Sequence, residues 1–442
     1  MTSNLKAARA VTSSESVSPT KAYVWVWAPG ATVPVPAGVL SVRGDITVFR
    51  YGRSYQQRPE AIPLYLPELA LQNETIEPLP GLTVASCIRD AGPDSWGQRV
   101  ILARRLSHLD TWSDTGDLPL LTYLLESGSD RIGALDFQTS PTEYKARAHS
   151  QATLDELLNA ADRLQAGEAL SPELEMALLR GTSIGGARPK AMLNDTDAKG
   201  IPRPLIAKFS TTTDTFHVVK AEAVAMDLAR RVGLNVANTE LIQVHGRDVL
   251  LVERFDRPGT TGSAPGQLGE RRIIVSALTM LGLDERLGHY ATYPALADVI
   301  RMRFTDPNAT LRELFSRIVF NICVSNTDDH ARNHSAFWDG TNLQLTPAYD
   351  ISPQARTGAT ANQAMAIHSD GRKASRFSIC LEAAHTYHLT RTQAQDIIDR
   401  QWTIINEEWP DVADKAHLTS LERNAMLGRL ILNPAAKYDD SS

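Results

Sequence analysis

Cysteine is scarce in this chain: three in 442 residues, Cys87, Cys323 and Cys380, far apart and forming no C-x-x-C pair. So sparse and odd a set argues against a disulfide-stapled secreted scaffold and for reduced thiols packed as small hydrophobes. No window approaches the ~20 consecutive apolar residues of a membrane span. The opening MTSNLKAARAVTSSESVSPTK is polar and Ser-rich with no apolar run, so it reads as a disordered lead-in rather than an export signal. An excess of positive charge is also missing. With 45 Lys+Arg against 51 Asp+Glu the formal net charge is -6, so no general basic field draws the chain to nucleic acid or anionic lipid. Any DNA contact has to be local or supplied by a partner, and a cytoplasmic protein without membrane association is expected.

What is present is an ordinary globular composition, 43% hydrophobic and 22% charged, in a chain too long for one typical core. Tyr23 to Tyr51 alternates or clusters Val, Trp, Ile and Phe between Pro/Gly turn signals, which predicts a small antiparallel sheet. Pro93-Asp94-Ser95 precedes an amphipathic helical run, and Ser129 to Phe137 reads as a turn entering a strand. Thr153 and Glu156 form a capping box before a helix, and a second helix is expected from Ser171 to Gly181. Strands are expected at Ala191–Leu193, Pro204–Phe209, 238–244 and 248–253, with a helix at 219–232. Leu311 to Val324 has helical spacing, and amphipathic helices dominate beyond 386. The spacing predicts an α+β chain: lead-in 1–21, N-terminal α+β domain 22–148, strand-rich lobe 149–255 with a glycine loop, and helical lobe 256–442.

Five short features carry chemistry before residue 334. The loop Gly181-Thr182-Ser183-Ile184-Gly185-Gly186-Ala187-Arg188-Pro189-Lys190 lets backbone N–H groups approach phosphate, with Arg188 and Lys190 adding charge. It lacks the Lys-Ser/Thr of a Walker A loop. Lys208, in the strand LIAKFS, needs a partner if buried, and Glu222 in the following helix is the natural one. The strand VLLVERFDR breaks into charge at Glu253, where the backbone of Glu253 and Phe255 can meet an adenine edge. Asp328-x-x-x-x-Asn333 has the spacing of a kinase catalytic loop, in which Asp accepts the hydroxyl proton and Asn binds Mg²⁺. Seventeen residues on, Asp350 follows the strand LQLTPAYD and completes an oxygen-ligand metal site with Asn333. Each match alone is weak. Their order, glycine loop, Lys, helix Glu, strand end, Asp-x4-Asn, Asp, is that of a two-lobed protein-kinase-like fold.

At TSIGGARPKA, LLVERFDR, NTDDHARNHS and LTPAYDISP, and upstream at PDSWGQR and DRIGALDF, the sequence resembles the HipA family of toxin kinases from bacterial HipBA toxin–antitoxin modules, over roughly residues 22–430. The resemblance implies an ATP-dependent Ser/Thr protein kinase that phosphorylates an aminoacyl-tRNA synthetase, arrests translation and so promotes persistence. It implies Asp328 as catalytic base, Asn333 and Asp350 as Mg²⁺ ligands, and Lys208 as the phosphate-contacting lysine. Ser183, Gly185, Gly186, Ala187, Lys190, Glu253, Phe255, His330 and Asn333 would line the ATP site. Ser183 matches the serine whose autophosphorylation silences the enzyme, since a phosphate of about −1.5 to −2 charge repels nucleotide there. A helix-turn-helix antitoxin of the HipB type is implied as partner, with operator DNA reached only through that complex. Asp329 departs from the small residue common at its position, and Tyr349-Asp350-Ile351 departs from Asp-Phe-Gly.

Three other readings compete. His330 and His334 stand at i, i+4, but Ala331 occupies the place of the zincin glutamate; His330 is expected to brace the catalytic loop and His334 to be exposed. A small-molecule kinase, acting on sugars or aminoglycosides, shares Asp-x4-Asn and the later Asp, yet needs neither the N-terminal domain nor Ser183. A non-catalytic co-repressor is weakened because no catalytic position is substituted, and Arg301 and Arg303 read as solvated surface charge.

Overall fold

The computed structural model describes residues 18–107, 118–147, 153–166, 188–196, 200–210, 217–258, 269–355 and 360–438, with isolated positions between 168 and 178. Ser183, Gly185, Gly186 and Ala187 lie outside the described residues, as do residues 1–17 of the expected lead-in and most of the helix expected from Ser171.

Among the described residues, three antiparallel sheets organise the chain. The first joins β1 (Lys21–Val26), β2 (Val35–Arg43), β3 (Ile46–Tyr51) and β4 (Leu135–Gln138) in the order β3-β2-β1-β4. Successive side chains of a strand point to opposite faces, and in β1 Ala22, Val24 and Val26 are fully buried. The expected lead-in therefore ends one residue early, because Lys21 already pairs with Ser41.

The second sheet holds β5 (Lys190–Thr196), β6 (Pro202–Phe209), β7 (Thr239–Val244) and β8 (Arg247–Glu253) in the order β5-β6-β8-β7. A two-residue turn joins β7 to β8. His245 at φ 49° and Gly246 at φ 76° both occupy the left-handed region that such hairpins require. The alternation of β6 divides its side chains cleanly. Leu205, Ala207 and Phe209 are buried with Val249 and Leu251 of β8 against two helices, Ser95–Ser107 and Leu154–Gln165. The second helix starts on the expected Thr153/Glu156 capping box, and the first is N-capped by Asp94, whose Oδ1 accepts from Gly97 N at 2.7 Å. The other face of β6 turns Ile206 and Lys208 toward the helix Val218–Arg231 and a cleft.

Beyond β8 the chain is mostly helical. The helix Pro307–Cys323 starts four residues before the expected Leu311 because Asp306 caps it and Pro307 fits its first turn. Its buried face, with Leu311, Leu314, Phe315, Ile318 and Ile322, packs among Tyr293–Arg303 and Arg391–Lys415. A third sheet of β9 (Ile273–Ser276), β10 (Ser335–Trp338) and β11 (Leu343–Leu345), ordered β11-β10-β9, lies beside it. The result is the expected α+β architecture, a strand-rich lobe and a helical lobe with a cleft between them, preceded by a sheet-rich N-terminal region. Among the described residues no helix is long and apolar enough to cross a membrane.

Candidate active site

The cleft between the lobes encloses about 330 Å³ and is lined by Lys208, Glu253, Phe255, His330, Asn333 and Asp350 among others. Lys208 reaches it because β6 alternates. Glu222 reaches Lys208 because the helix Val218–Arg231 turns Glu222 and Met226, four residues apart, to one side, and Met226 lines the cleft. Lys208 Nζ donates to Glu222 Oε1 at 2.6 Å and to Asp350 Oδ1 at 2.6 Å. Burial alone would lower the Lys208 ammonium, but Asp350 and Glu222 more than reverse this and hold it above its ordinary value. Lys208 in turn holds the Asp350 carboxyl down at about 2. Burial pushes Glu222 up, against the pull of Lys208. Asp350 takes φ 59°, a left-handed conformation disfavoured for a non-glycine residue and typical of strain stored at functional sites.

Asp328 stands at the exposed end of the loop after the helix Pro307–Cys323, while Asp329 turns inward and is 4% exposed. Asn333 Nδ2 donates to the Asp328 carbonyl at 3.2 Å, folding the loop so that both residues stay on one side. Partial desolvation raises the Asp328 carboxyl above its usual range; nearby His330 opposes the shift and Asp350 adds to it. Asp329 accepts hydrogen bonds from Tyr293 Oη and, at 2.8 Å, engages His334 Nε2. Its carboxyl, which burial alone would raise, is held below the ordinary value by those partners. The roles expected of the two histidines are thus exchanged. His334 is 2% exposed and braces the loop, while His330 is exposed and faces the cleft, because the loop turns between them in a short 3₁₀ segment, Ala331–Asn333, rather than continuing a helix. For the same reason the i, i+4 spacing does not place two imidazoles on one helix face.

Three further expectations change. The Glu253 amide is not free for an adenine edge, since it donates to the Asn238 carbonyl at 2.8 Å; the Glu253 carbonyl and the Phe255 amide remain as candidates. Lys190, directly opposite Lys208 in the register of β5 and β6, is 2% exposed, and its Nζ donates to Asp94 Oδ2 at 2.7 Å. Burial lowers this ammonium and raises the Asp94 carboxyl, each against the attraction of the other. The Trp96 indole also donates to the Lys190 carbonyl at 3.2 Å. The strand leaving the glycine loop is therefore fastened to the Pro93-Asp94-Ser95-Trp96 segment. Arg303, read as solvated charge, instead donates to Tyr65 Oη at 2.7 Å and stacks near its ring.

The site also holds residues that no motif marks. Tyr349 Oη donates to the Arg332 carbonyl at 2.7 Å, and its ring lies 5.7 Å from that of Phe255, so the residue before Asp350 ties the loop to the strand end. Arg89, Asp90, Gly92, Asp94, Ser95 and Ile132 line the cleft from the N-terminal region. Their signal was visible only as the two upstream family-like strings that contain Asp94 and Ile132, with no chemistry attached. Among the described residues no cluster of three His, Cys, Asp or Glu groups could hold a metal. The donor set at Asn333 and Asp350, one amide oxygen and one carboxylate, suits a hard cation that keeps water and phosphate ligands, as Mg²⁺ does.

Comparison with known proteins agrees with this architecture. A solved complex of HipA, HipB and operator DNA from Shewanella oneidensis MR-1 superimposes with a TM-score of 0.65 at 19% identity, over 94% of this chain and 100% of that one, which establishes likeness of fold. In sequence the chain is 27% identical over 275 residues to Y4mE of Sinorhizobium fredii, which bears a kinase name, covering 58% of this chain. It is 28% identical over 149 residues, 30% of this chain, to the Ser/Thr-protein kinase toxin HipA of Shewanella oneidensis. The matches span 60% and 34% of those relatives' own lengths. The model of the HipA-like C-terminal domain matches residues 182–409, more than half of the chain. The chain therefore belongs to the HipA-like family.

Proposed function

We propose that this chain is an ATP-dependent Ser/Thr protein kinase. The observation that carries the reading is Lys208 Nζ bridging Glu222 and Asp350 at 2.6 Å each, in the same cleft as Asn333 and beside Asp328. In this reading the adenine edge meets the Glu253 carbonyl and the Phe255 amide, and Lys208 reaches the α- and β-phosphates. Asp328 orients the acceptor hydroxyl and takes its proton as the oxygen bonds to the γ-phosphorus and the bond to the β-phosphate oxygen breaks, leaving ADP. Held at Asn333 and Asp350, Mg²⁺ would neutralise charge on the phosphates. Asp329, through Tyr293 and His334, keeps the loop rigid enough to hold Asp328 in place.

An aminoacyl-tRNA synthetase as substrate and silencing by phosphorylation of Ser183 rest on the resemblance to the HipA family alone, while a HipB-like antitoxin that carries the pair to operator DNA has the additional support of the solved HipA, HipB and operator complex of like fold. Incubating the purified protein with Mg-ATP and a panel of synthetases, then mapping phosphopeptides, tests all but the last. Phosphate on Ser183 and on one synthetase supports the full reading. Phosphate on a free sugar or aminoglycoside instead would replace it with a small-molecule kinase.

A further inference from the structure

The cleft has a wall that the kinase lobes do not supply. Ile132 lines the cleft, as do the apolar side chains of Ile206, Val252, Phe255 and Tyr349, yet Ile132 belongs to the turn entering β4 of the first sheet. Its position is fixed from both sides. Arg131, fully buried, donates from Nε to Asp136 Oδ1 at 2.9 Å, and its carbonyl accepts from Arg254 Nη2 at 2.6 Å. On the other flank the Gly133 amide donates to Asp256 Oδ2 at 2.8 Å and the Gly133 carbonyl accepts from Arg257 Nη1 at 3.1 Å. Gly133 holds φ 80°, a backbone conformation that side chains rarely adopt. Asp130 closes the set, bonding Arg254 Nη1 at 2.7 Å and Arg257 Nη2 at 3.0 Å. The tripeptide around Ile132 is thus bolted to residues 254, 256 and 257, which interleave with and follow the strand end where Glu253 and Phe255 offer their backbone groups. These charges are nearly all out of water, where a bonded set is rigid because breaking any member strands another.

We propose that Ile132 is a base-contacting, specificity-determining residue of the nucleotide site, and that residues 130–133 make the N-terminal region a structural part of that site. The inference rests on the ATP-site reading above. A partly buried isoleucine against a purine ring offers apolar contact and no hydrogen bond, so it acts on the base and not on the phosphates.

The test is equilibrium binding of adenosine and of ATP to the full chain and to Ile132→Ala, Ile132→Trp and, as a phosphate-end control, Lys208→Met. Ile132→Ala is expected to weaken adenosine and ATP by the same factor, about tenfold from the lost apolar contact, with the nucleotide-free unfolding midpoint unmoved. Ile132→Trp is expected to fill the base end and abolish binding of both, and Lys208→Met to weaken ATP while sparing adenosine. Wild-type adenosine affinity in both Ile132 variants would overturn the proposal. So would a loss that tracks a lowered unfolding midpoint, which marks a merely structural residue. If the unaltered chain binds neither ligand, the ATP-site reading itself fails, and this inference with it.

Discussion

At the scale of single residues the site is a matter of which charges are paired with which. Lys208 sits between two carboxylates, and its removal leaves Glu222 and Asp350 facing each other without a cation. Lys208→Met is therefore expected to weaken ATP binding about 10- to 100-fold, the worth of lost charged hydrogen bonds, read by calorimetry. Asp328 must be ionised to take a proton, and partial desolvation raises its carboxyl. The rate of phosphoryl transfer should therefore fall on acidification beginning above the ordinary carboxylate range, and a profile flat down to pH 4 would contradict this assignment. Asp350 behaves oppositely. Its native value of about 2 lies below the 3.8 of an unperturbed aspartate, so the stability it contributes is full above pH 4 and lost as pH falls through 4 toward 2. Acid titration of Asp350→Asn beside the unaltered chain should show a shallower loss of stability across that window.

The elements show what a sequence reveals and what it hides. The strand Pro202–Phe209 and the helix Val218–Arg231 were legible, since alternation and helical spacing place Lys208 and Glu222 without reference to anything distant. The pairing of Lys190 with Asp94 was not, because the two are 96 positions apart and neither spacing nor composition encodes which buried acid meets which base. The same limit reversed His330 and His334. The Asp-x4-Asn spacing is compatible with a helix or a turn, and only Tyr293, from another helix, reveals that Asp329 and His334 point inward. Both Asp94 and Lys190 have side chains 3% exposed. Breaking a buried pair by removing one partner costs about 3–5 kcal/mol, so Asp94→Ala should lower the unfolding free energy by about that amount in urea titrations. Asp329→Ala, by contrast, should slow transfer more than it weakens nucleotide binding, since its contacts hold the loop and not the ligand.

For the whole molecule, the order of motifs was enough to read two lobes and a cleft, but the sequence divided the chain too neatly. The helix Ser95–Ser107 shares its core with the β5–β8 sheet, and Asp130, Arg131 and Gly133 bond the segment after β8. The N-terminal region is thus packed and hydrogen-bonded into the body that forms the cleft. Expressing residues 149–442 alone should leave Arg254 and Arg257 buried without Asp130, and it is expected to yield insoluble or unfolded chain, whereas a soluble, ATP-binding fragment would contradict this view. In the proposed reading this cleft transfers phosphate from ATP, with Asp328 as its base. Incubating the chain with Mg²⁺ and ATP labelled at the γ-position, beside Asp328→Gln, is the decisive measurement. Protein-bound label in the unaltered chain that falls by about 10²–10⁴-fold in the variant, with ATP binding retained, is the predicted result; equal labelling of both, or none in either despite bound ATP, would contradict it.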